Sequence, residues 1–309
     1  MTPAMMMERD DHVLEKEAMR ANRKADRDDK DKLVLSFDLQ NVITCPRANI
    51  SSFFYHSKLN MYNLTAHAST NKKAYCTIWM ETTLERIGYD LASALTAILK
   101  AVLSDFPLVT EITTWSDSCI PQNRNSIMTM AIMNFMSDNQ QVKKFTMKYS
   151  TPGHGAVQEV DNIHSQIEKA MKIAEFYSPV SLVRILLNVN RHNPFRVLQM
   201  RAQHFFDFQS ISSQLQFKKV PFTKVKILEL SRHSTVVKCK LSFLNDTFED
   251  VDVAPKASER RAHNQAIYKP IAPKLLGQIR TLPQNKVNSL KAMLKFMPLL
   301  DRQFYSSIL

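Results

Sequence analysis

Three aspartates lie where a divalent cation site can form. Asp38 ends one apolar strand pattern, Asp117 ends another, and Asp161 opens an amphipathic helix pattern. If the two strands are parallel neighbours, their carboxyl ends share the edge at which open α/β sheets build ligand sites. Carboxylates crowded at one point repel each other unless cations lie between them. The pattern therefore predicts a two-ion Mg²⁺ or Mn²⁺ site of the kind that assists phosphodiester cleavage.

The helix pattern around Asp161 carries two further candidate catalytic residues. Asp161, His164 and Glu168 have the spacing i, i+3, i+7 and form one strip along the helix, beside an apolar face. Glu168, or Glu159 at the start of the helix, is an alternative third acid, and His164 could orient a carboxylate or contact a phosphate.

Each candidate also has an ordinary structural interpretation. Asp38 could start a turn, and Asp117 and Asp161 could be helix caps or first-turn acids. His164 could be a partly exposed structural histidine. The sequence leaves these alternatives open.

The segment after Asp117 is rich in side-chain amides. It reads Gln122-Asn123-Arg124-Asn125, preceded by Cys119, which we expect to be a small packing residue. We predict that the three amide side chains brace the acids or contact sugar and phosphate groups. Arg124 is predicted to pair with phosphate.

The elements that must position these residues follow the order β-β-β-α-β-α-β-α. Strands linked by helices should lie parallel, so the order predicts an α/β fold with a mixed sheet flanked by helices. Hydrophobic periodicity predicts strands at 32–38, 58–69, 72–81, 111–117 and 142–150, and helices at 84–105, 125–136 and 159–176.

Composition divides the chain into four predicted regions. Residues 1–31 are a charged helical or disordered lead-in, 32–178 are the core, 179–217 are a helical extension, and 218–309 are a basic α+β extension with a hairpin and a C-terminal helix. Within the extensions we predict a short helix that starts at Pro194 and a hairpin over 224–253 that turns at Asn245-Asp246.

Charge and composition narrow the range of partners. The net charge is +12, and residues 218–309 hold 17 Lys and Arg against 7 Asp and Glu. Such an excess predicts a nucleic-acid partner, gripped through Lys218, Lys219, Lys224 and Lys226. Only four glycines are present, none in a phosphate-binding motif, and the four cysteines form no C-x-x-C pair.

Localisation is predicted from what the sequence lacks. There is no apolar run long enough to span a bilayer and no signal-peptide pattern. We therefore expect an intracellular protein, nuclear or cytoplasmic, with no membrane partner. A homodimer is compatible with the sequence.

Several strings resemble one domain family. They are FDLQ (37–40), WSDSC (115–119) with QNRN (122–125), and GH, VD, H and IE between 153 and 168. Over residues 30–217 they resemble an uncharacterised family of transposon-derived, multicopy animal proteins, whose pattern is similar to ribonuclease-H-like nucleases and Asp-Asp-Glu/Asp transposases. The resemblance implies a ribonuclease-H-like fold, with Asp38, Asp117 and Asp161 as the metal-binding acids of a nuclease or transposase acting on DNA.

The chain also departs from the patterns that it resembles. Ile120-Pro121 replaces two glycines that relatives usually have before QNRN, so we expect a distorted turn. A catalytically inactive relative that binds nucleic acid or protein is therefore the alternative function. A proofreading-type exonuclease is disfavoured, because Gln40 lies where such enzymes usually carry a second acid.

Overall fold

The computed structural model describes residues 3–29, 32–151, 159–255, 271–277 and 280–309. Within these residues, ten strands form one mixed sheet with helices on both faces. The predicted α/β class and the mixed, helix-flanked sheet are therefore confirmed. The Gly153-His154 pair and residues 256–270 of the basic link lie outside the described ranges.

The strands pair in the order β10-β9-β8-β6-β5-β1-β3-β4-β7, and β2 pairs with β3. β1 is parallel to β5, and β5 is parallel to β6, so the carboxyl ends of these three strands meet at one edge. The strands are β1 Leu33–Leu39, β2 Ile43–Cys45, β3 Leu59–Ala68, β4 Ala74–Met80, β5 Glu111–Ser116, β6 Lys144–Tyr149, β7 Arg196–Gln199, β8 Ile227–Ser231, β9 Val236–Lys240 and β10 Glu249–Asp252.

Some of the helices begin where a side chain accepts a hydrogen bond from a backbone N–H group near the first turn. Asn125 accepts a hydrogen bond from Met128 N at 2.9 Å and so caps the helix that follows it, while Asp90 accepts one from Ile87 N at 3.3 Å. The described helices are α1 Pro3–Asp28, α2 Gly88–Asp105, α3 Ser126–Asp138, α4 Glu159–Ile173, α5 Pro179–Asn188, α6 Phe208–Ser212, α7 Gln284–Met293 and α8 Leu299–Ser306.

Two apolar clusters hold the layers together. One face of the sheet packs Leu35 and Phe37 against α2, α3 and α6. The other face packs the start of β3 and the centre of β4 against α4, α5, α7 and α8, with Ile163, Ile167 and Met171 as the contribution of α4. Burial of these side chains is the main stabilising contribution to the layers.

The charged lead-in forms α1 and docks on the sheet, although its sequence shows no apolar stripe. Buried Asp26 accepts hydrogen bonds from Trp115 Nε1 at 2.9 Å and from Lys148 Nζ at 2.6 Å. Met19 packs in a small cluster with Trp115, and Arg23 forms an ion pair with Glu159 at 2.5 Å. Paired polar groups, rather than an apolar face, fix this helix.

Two predicted elements of the extensions are wrong. The chain after Pro194 forms β7, because the free edge of β4 offers parallel pairing to this segment. The segment 224–253 forms three antiparallel strands, β8 to β10, instead of one hairpin. Its first turn contains His233 in the left-handed region (φ 63°), and Asn245-Asp246 lies in the second connection.

β7 and β8 to β10 extend the same sheet as the predicted core. The predicted boundaries at 178 and 217 therefore do not separate sheets. None of the described helices combines the length and apolar character that crossing a bilayer requires.

Candidate metal centre at the carboxyl edge of the sheet

Strand register brings two of the predicted acids side by side. Ser36 of β1 pairs with Trp115 of β5, and Asp38 and Asp117 each lie two residues beyond that pair. Adjacent strands are about 4.8 Å apart, so the two aspartates lie side by side at the carboxyl edge of the sheet. The predicted parallel pairing of these strands is confirmed.

Helix α4 brings two more residues to Asp38. It packs across β1 and β3, and one possible ligand atom from each of Asp38, Asp161 and His164 lies within 4.8 Å of the other two. These residues come from three distant stretches of the sequence. The convergence of Asp38 with Asp161, expected from the sequence, is present, and His164 joins it one helical turn further along.

Asp117 lies beside this group and is held in a turn. Its Oδ1 accepts hydrogen bonds from Cys119 N at 3.2 Å and from Asn123 Nδ2 at 2.5 Å. Asp117 is therefore a turn residue rather than the helix cap of its ordinary interpretation. It is not one of the three grouped residues, and it acts on Asp38 through its charge. Both hydrogen bonds fall on one carboxylate oxygen.

The crowding of carboxylates perturbs Asp38. Its pKa is raised to about 7, mainly by burial and in addition by the negative charges of Asp117 and Asp161, while a hydrogen bond from Leu39 N at 2.8 Å opposes the rise. The ionised form is therefore unfavourable at this position unless a positive charge approaches.

His164 is held as a neutral imidazole. Burial lowers its pKa to about 4, and the negative charge of Asp161 only partly opposes that effect. Its Nε2 is buried without a hydrogen-bond partner among the described residues. A neutral ring with an unpartnered nitrogen is the form in which histidine binds metals.

These residues fit a divalent cation. Asp38 and Asp161 supply hard oxygens that suit Mg²⁺ and Mn²⁺, and the neutral nitrogen of His164 is a ligand that transition metals accept. A cation here would relieve the repulsion that raises the pKa of Asp38 and would satisfy the orphaned nitrogen of His164.

A polar strip surrounds the candidate centre. Because side chains alternate along a strand, Asp38 shares its face of β1 with two other polar residues, and three polar residues of β3 lie beside them. Apart from Asp38, all are buried. The polar strip consists of Ser36, Asp38, Gln40, Asn63, Thr65 and His67.

Glu168 is hydrogen-bonded to the polar strip and is not grouped with Asp38 and Asp161. Gln40 Nε2 donates to Glu168 Oε1 at 3.1 Å, and Asn63 Nδ2 donates to Gln40 Oε1 at 2.9 Å. Arg47 Nη1 lies 3.9 Å from Glu168 Oε2. Sequence reasoning missed that Gln40 and Asn63 form a hydrogen-bonded chain to Glu168. The polar residues at alternate positions, Ser36, Asp38 and Gln40, are a sequence signal for the strip.

The side chains of the amide-rich segment mainly make hydrogen bonds within the protein. Asn123 is buried and braces Asp117, while Asn125 caps α3 and donates to Ile120 O at 2.8 Å. Gln122 is partly exposed. Arg124 is buried, lies 5.9 Å from the centre of the Tyr149 ring and donates to Val225 O at 3.1 Å, so its guanidinium already has protein partners in place of the predicted phosphate.

The turn at Ile120-Pro121 is formed without a left-handed residue. Among the described non-glycine residues, only Lys72 and His233 have positive φ. Cys119 O closes the turn by accepting from Asn123 N at 2.9 Å. The expected distortion of the backbone is therefore not present, because this turn does not need the conformational freedom of glycine.

Lys224 and Lys226 flank the same edge. Lys218 and Lys219 lie towards the opposite edge, because Lys219 Nζ donates to Asp252 O at 3.2 Å and Asp252 is level with the start of β6. Tyr149 N donates to Lys226 O at 2.9 Å, which places the segment 224–226 beside the carboxyl end of β6. Lys224 is exposed, whereas Lys226 is partly buried and burial lowers its pKa. Lys218 and Lys219 are exposed on the preceding turn.

Comparison with known proteins identified no similar protein. No protein-family model, curated protein or solved structure matches this chain. The resemblance to transposon-derived proteins stays a prediction from the quoted motifs, and the functional argument depends on the geometry of the site.

Proposed function

We propose that this chain is a ribonuclease-H-like, divalent-metal-dependent domain of transposase ancestry that cleaves phosphodiester bonds in DNA. The observation that carries the proposal is the convergence of Asp38, Asp161 and His164, with Asp117 beside them, at the carboxyl edge of parallel strands. Carboxylates whose pKa values are perturbed by crowding and burial cluster at functional sites.

In this proposal the chain holds the cation and fixes its surroundings. Asp38, Asp161 and His164 would hold one Mg²⁺ or Mn²⁺, and Asp38 and Asp117 are the acids available to hold a second. When bound, the cations stabilise the negative charge that develops on the phosphodiester. Asn123 holds the carboxylate of Asp117 through its 2.5 Å hydrogen bond, while Gln40 and Asn63 fix Glu168 outside the ligand set.

The predicted lysines, Lys218, Lys219, Lys224 and Lys226, form a basic flank that binds the phosphates of the substrate. Lys224 is exposed, and the segment 224–226 adjoins the edge that carries the acids, while exposed Lys218 and Lys219 lie towards the other edge of the sheet. Phosphate contacts of this kind position a duplex without reading its sequence. A DNA-acting enzyme of this ancestry would work in the nucleus.

A cleavage assay tests the proposed activity. The full chain is incubated with labelled DNA or RNA and Mn²⁺ or Mg²⁺, and we expect metal-dependent cleavage of DNA that Asp38→Asn and Asp117→Asn abolish. Asp138→Asn is the matched control, because Asp138 is exposed at the end of α3. Cleavage that survives both site substitutions would refute the proposed centre. If the wild-type chain retains DNA and cleaves nothing, the non-catalytic binding function is correct instead.

Salt dependence tests the basic flank separately. We expect DNA affinity to fall with ionic strength, with a log–log slope of roughly −0.9 for each phosphate contact. Changing Lys218, Lys219, Lys224 and Lys226 to Ala should make that slope shallower by about 3 to 4. A slope that is the same in both proteins would show that these lysines do not contact phosphate.

A further inference from the structure

Two neighbouring aromatic side chains are almost fully exposed. Phe54 and Tyr55 end the 3-10 turn Ser51–Tyr55, and each residue is 84% exposed. Their ring centroids are 5.4 Å apart and the rings are nearly perpendicular. Two adjacent large rings left in water on a folded protein indicate a surface that meets a partner.

The turn that presents these rings is anchored. Phe53, only 1% exposed, packs edge-on against Tyr177 and Phe296, with ring centroids 6.3 and 6.1 Å away. Asn49 N donates to Glu175 Oε1 at 2.8 Å at the start of the segment. The exposed rings therefore project from a fixed base, which lowers the entropy cost of binding to them.

The stretch of sequence that carries the rings is cationic. The sequence contains no Asp or Glu between Asp38 and Glu81. Within that stretch Arg47 and Lys58 lie near one another, since the charge of Arg47 helps burial to lower the pKa of Lys58. Positive groups beside exposed aromatic rings are the combination that binds single-stranded nucleic acid.

Arg47 also connects this surface to the candidate metal centre. Arg47 pairs with Phe176 just beyond the end of α4, and its Nη1 lies 3.9 Å from Glu168 Oε2 on that helix. Glu168 is hydrogen-bonded to Gln40, two residues from Asp38. Helix α4 thus runs from the acids at its first turn towards the base of the aromatic turn.

We propose that Phe54 and Tyr55 form a stacking platform for unpaired bases of a single nucleic-acid strand, while Arg47 and Lys58 contact its phosphates. The inference rests on the proposed function for the choice of nucleic acid as the ligand. A nucleic acid is favoured over a protein because the segment that carries the rings supplies cations and no acid, and Glu175 at its base is already hydrogen-bonded to Asn49 N and to the hydroxyl of Tyr177. Stacking on rings accepts any base, so the platform holds a strand without selecting a sequence.

A tryptophan reporter tests the stacking directly. Trp79 and Trp115 are both 1% exposed, so they give a constant background, and Phe54→Trp places a new indole on the platform. The full-length variant is titrated with a short oligothymidylate in EDTA, so that no cleavage occurs. We expect saturable quenching of the new fluorescence. Binding of the oligonucleotide without quenching would overturn the proposal, and so would failure to bind.

Removal of the rings gives the second measurement. Phe54→Ala/Tyr55→Ala should weaken single-strand affinity by about fivefold or more and leave duplex affinity nearly unchanged. Leu108→Ala is the control, because Leu108 is 91% exposed and lies between α2 and β5. Unchanged single-strand affinity would contradict the platform. A wild-type dimer that becomes a monomer in the double variant would assign the rings to self-association and refute it as well.

These outcomes separate the platform from the proposed nuclease. If metal-dependent cleavage is present but Phe54→Trp shows no quenching, the platform is wrong and the nuclease proposal stands. If quenching occurs but no cleavage is found, the platform stands as part of a nucleic-acid-binding surface, and the nuclease proposal fails.

Discussion

The two faces of strands β1 and β3 differ in chemistry although both faces are formed by the same two segments of the chain. On one face, Leu35 and Phe37 pack in the large apolar cluster beneath α2 and α3. On the other face, the alternate residues form the polar strip around Asp38, beneath α4. Period-2 alternation normally places polar side chains in water, yet here five of the six are buried.

The difference shows which face stabilises the fold and which face carries the chemistry. Apolar burial favours folding, whereas buried polar groups stabilise little and are costly when unpaired. Ser36 Oγ, His67 Nδ1 and His164 Nε2 are all buried without hydrogen-bond partners among the described residues. The polar strip is therefore the less stable side of the same strands, as expected for a site that is completed by a ligand.

Truncation of the apolar face should give the largest effect on stability. Phe37→Ala leaves a cavity in the main cluster, so we expect the free energy of unfolding to fall by about 3–5 kcal/mol. Urea denaturation followed by circular dichroism measures it. Phe37→Leu is the matched control and should lose less. A loss below about 1 kcal/mol would mean that this face is not tightly packed.

The adjacent substitution on the polar face should act in the opposite direction. Burial raises the pKa of Asp38 to about 7, so ionising it costs the metal-free fold stability as the pH rises from about 4 to above 7. Asp38→Asn removes that cost. In EDTA at pH 8 we expect the free energy of unfolding to rise by about 2–4 kcal/mol.

The pH dependence is the control for this prediction. At pH 4 the carboxyl group of Asp38 is protonated in the folded protein, so the advantage of Asp38→Asn should nearly vanish in the same denaturation experiment. An advantage that is equal at pH 4 and pH 8, or a destabilised variant at pH 8, would show that ionisation of buried Asp38 is not the cause.

Disruption of the hydrogen-bond chain to Glu168 should have a smaller effect. Gln40→Met keeps the approximate shape of the side chain but leaves the buried Asn63 Nδ2 without its acceptor. We expect a loss of about 1–3 kcal/mol in the free energy of unfolding. Gln40→Glu/Glu168→Gln keeps the acceptor for Asn63 and reverses the other hydrogen bond, so it serves as the comparison. Equal stability of Gln40→Met and wild type would show that the chain contributes nothing.

Metal affinity should depend on pH in a defined window. The cation needs ionised Asp38, whose pKa is about 7 in the metal-free protein, whereas His164 with a pKa of about 4 is already neutral. Mn²⁺ affinity should therefore rise by about tenfold per pH unit below pH 7 and level off above it. Calorimetric titration at pH 6, 7 and 8 measures it. Affinity independent of pH would exclude Asp38 as a ligand.

Local patterns predict the centre of the fold but not its edges. Apolar runs that end in Asp38 and Asp117 were sufficient to predict parallel strands with adjacent tips, and the helix that starts near Asp161 followed from its periodicity. The docking of α1 depends on the buried contact of Asp26 with Trp115, 89 residues away, which no local pattern shows. Arg124 lies in a polar segment, yet its main-chain acceptor is Val225, supplied by a distant strand connection.

Titration of the full chain with Mn²⁺, followed by electron paramagnetic resonance at pH 8, tests the central claim most directly. The account predicts that the wild type and the control Asp138→Asn hold Mn²⁺ with nitrogen coupling from an imidazole. It also predicts that His164→Ala loses that coupling and Asp38→Asn loses the ion. A wild-type chain that leaves Mn²⁺ free in solution, or an Asp38→Asn variant that binds it as Asp138→Asn does, would contradict the metal centre.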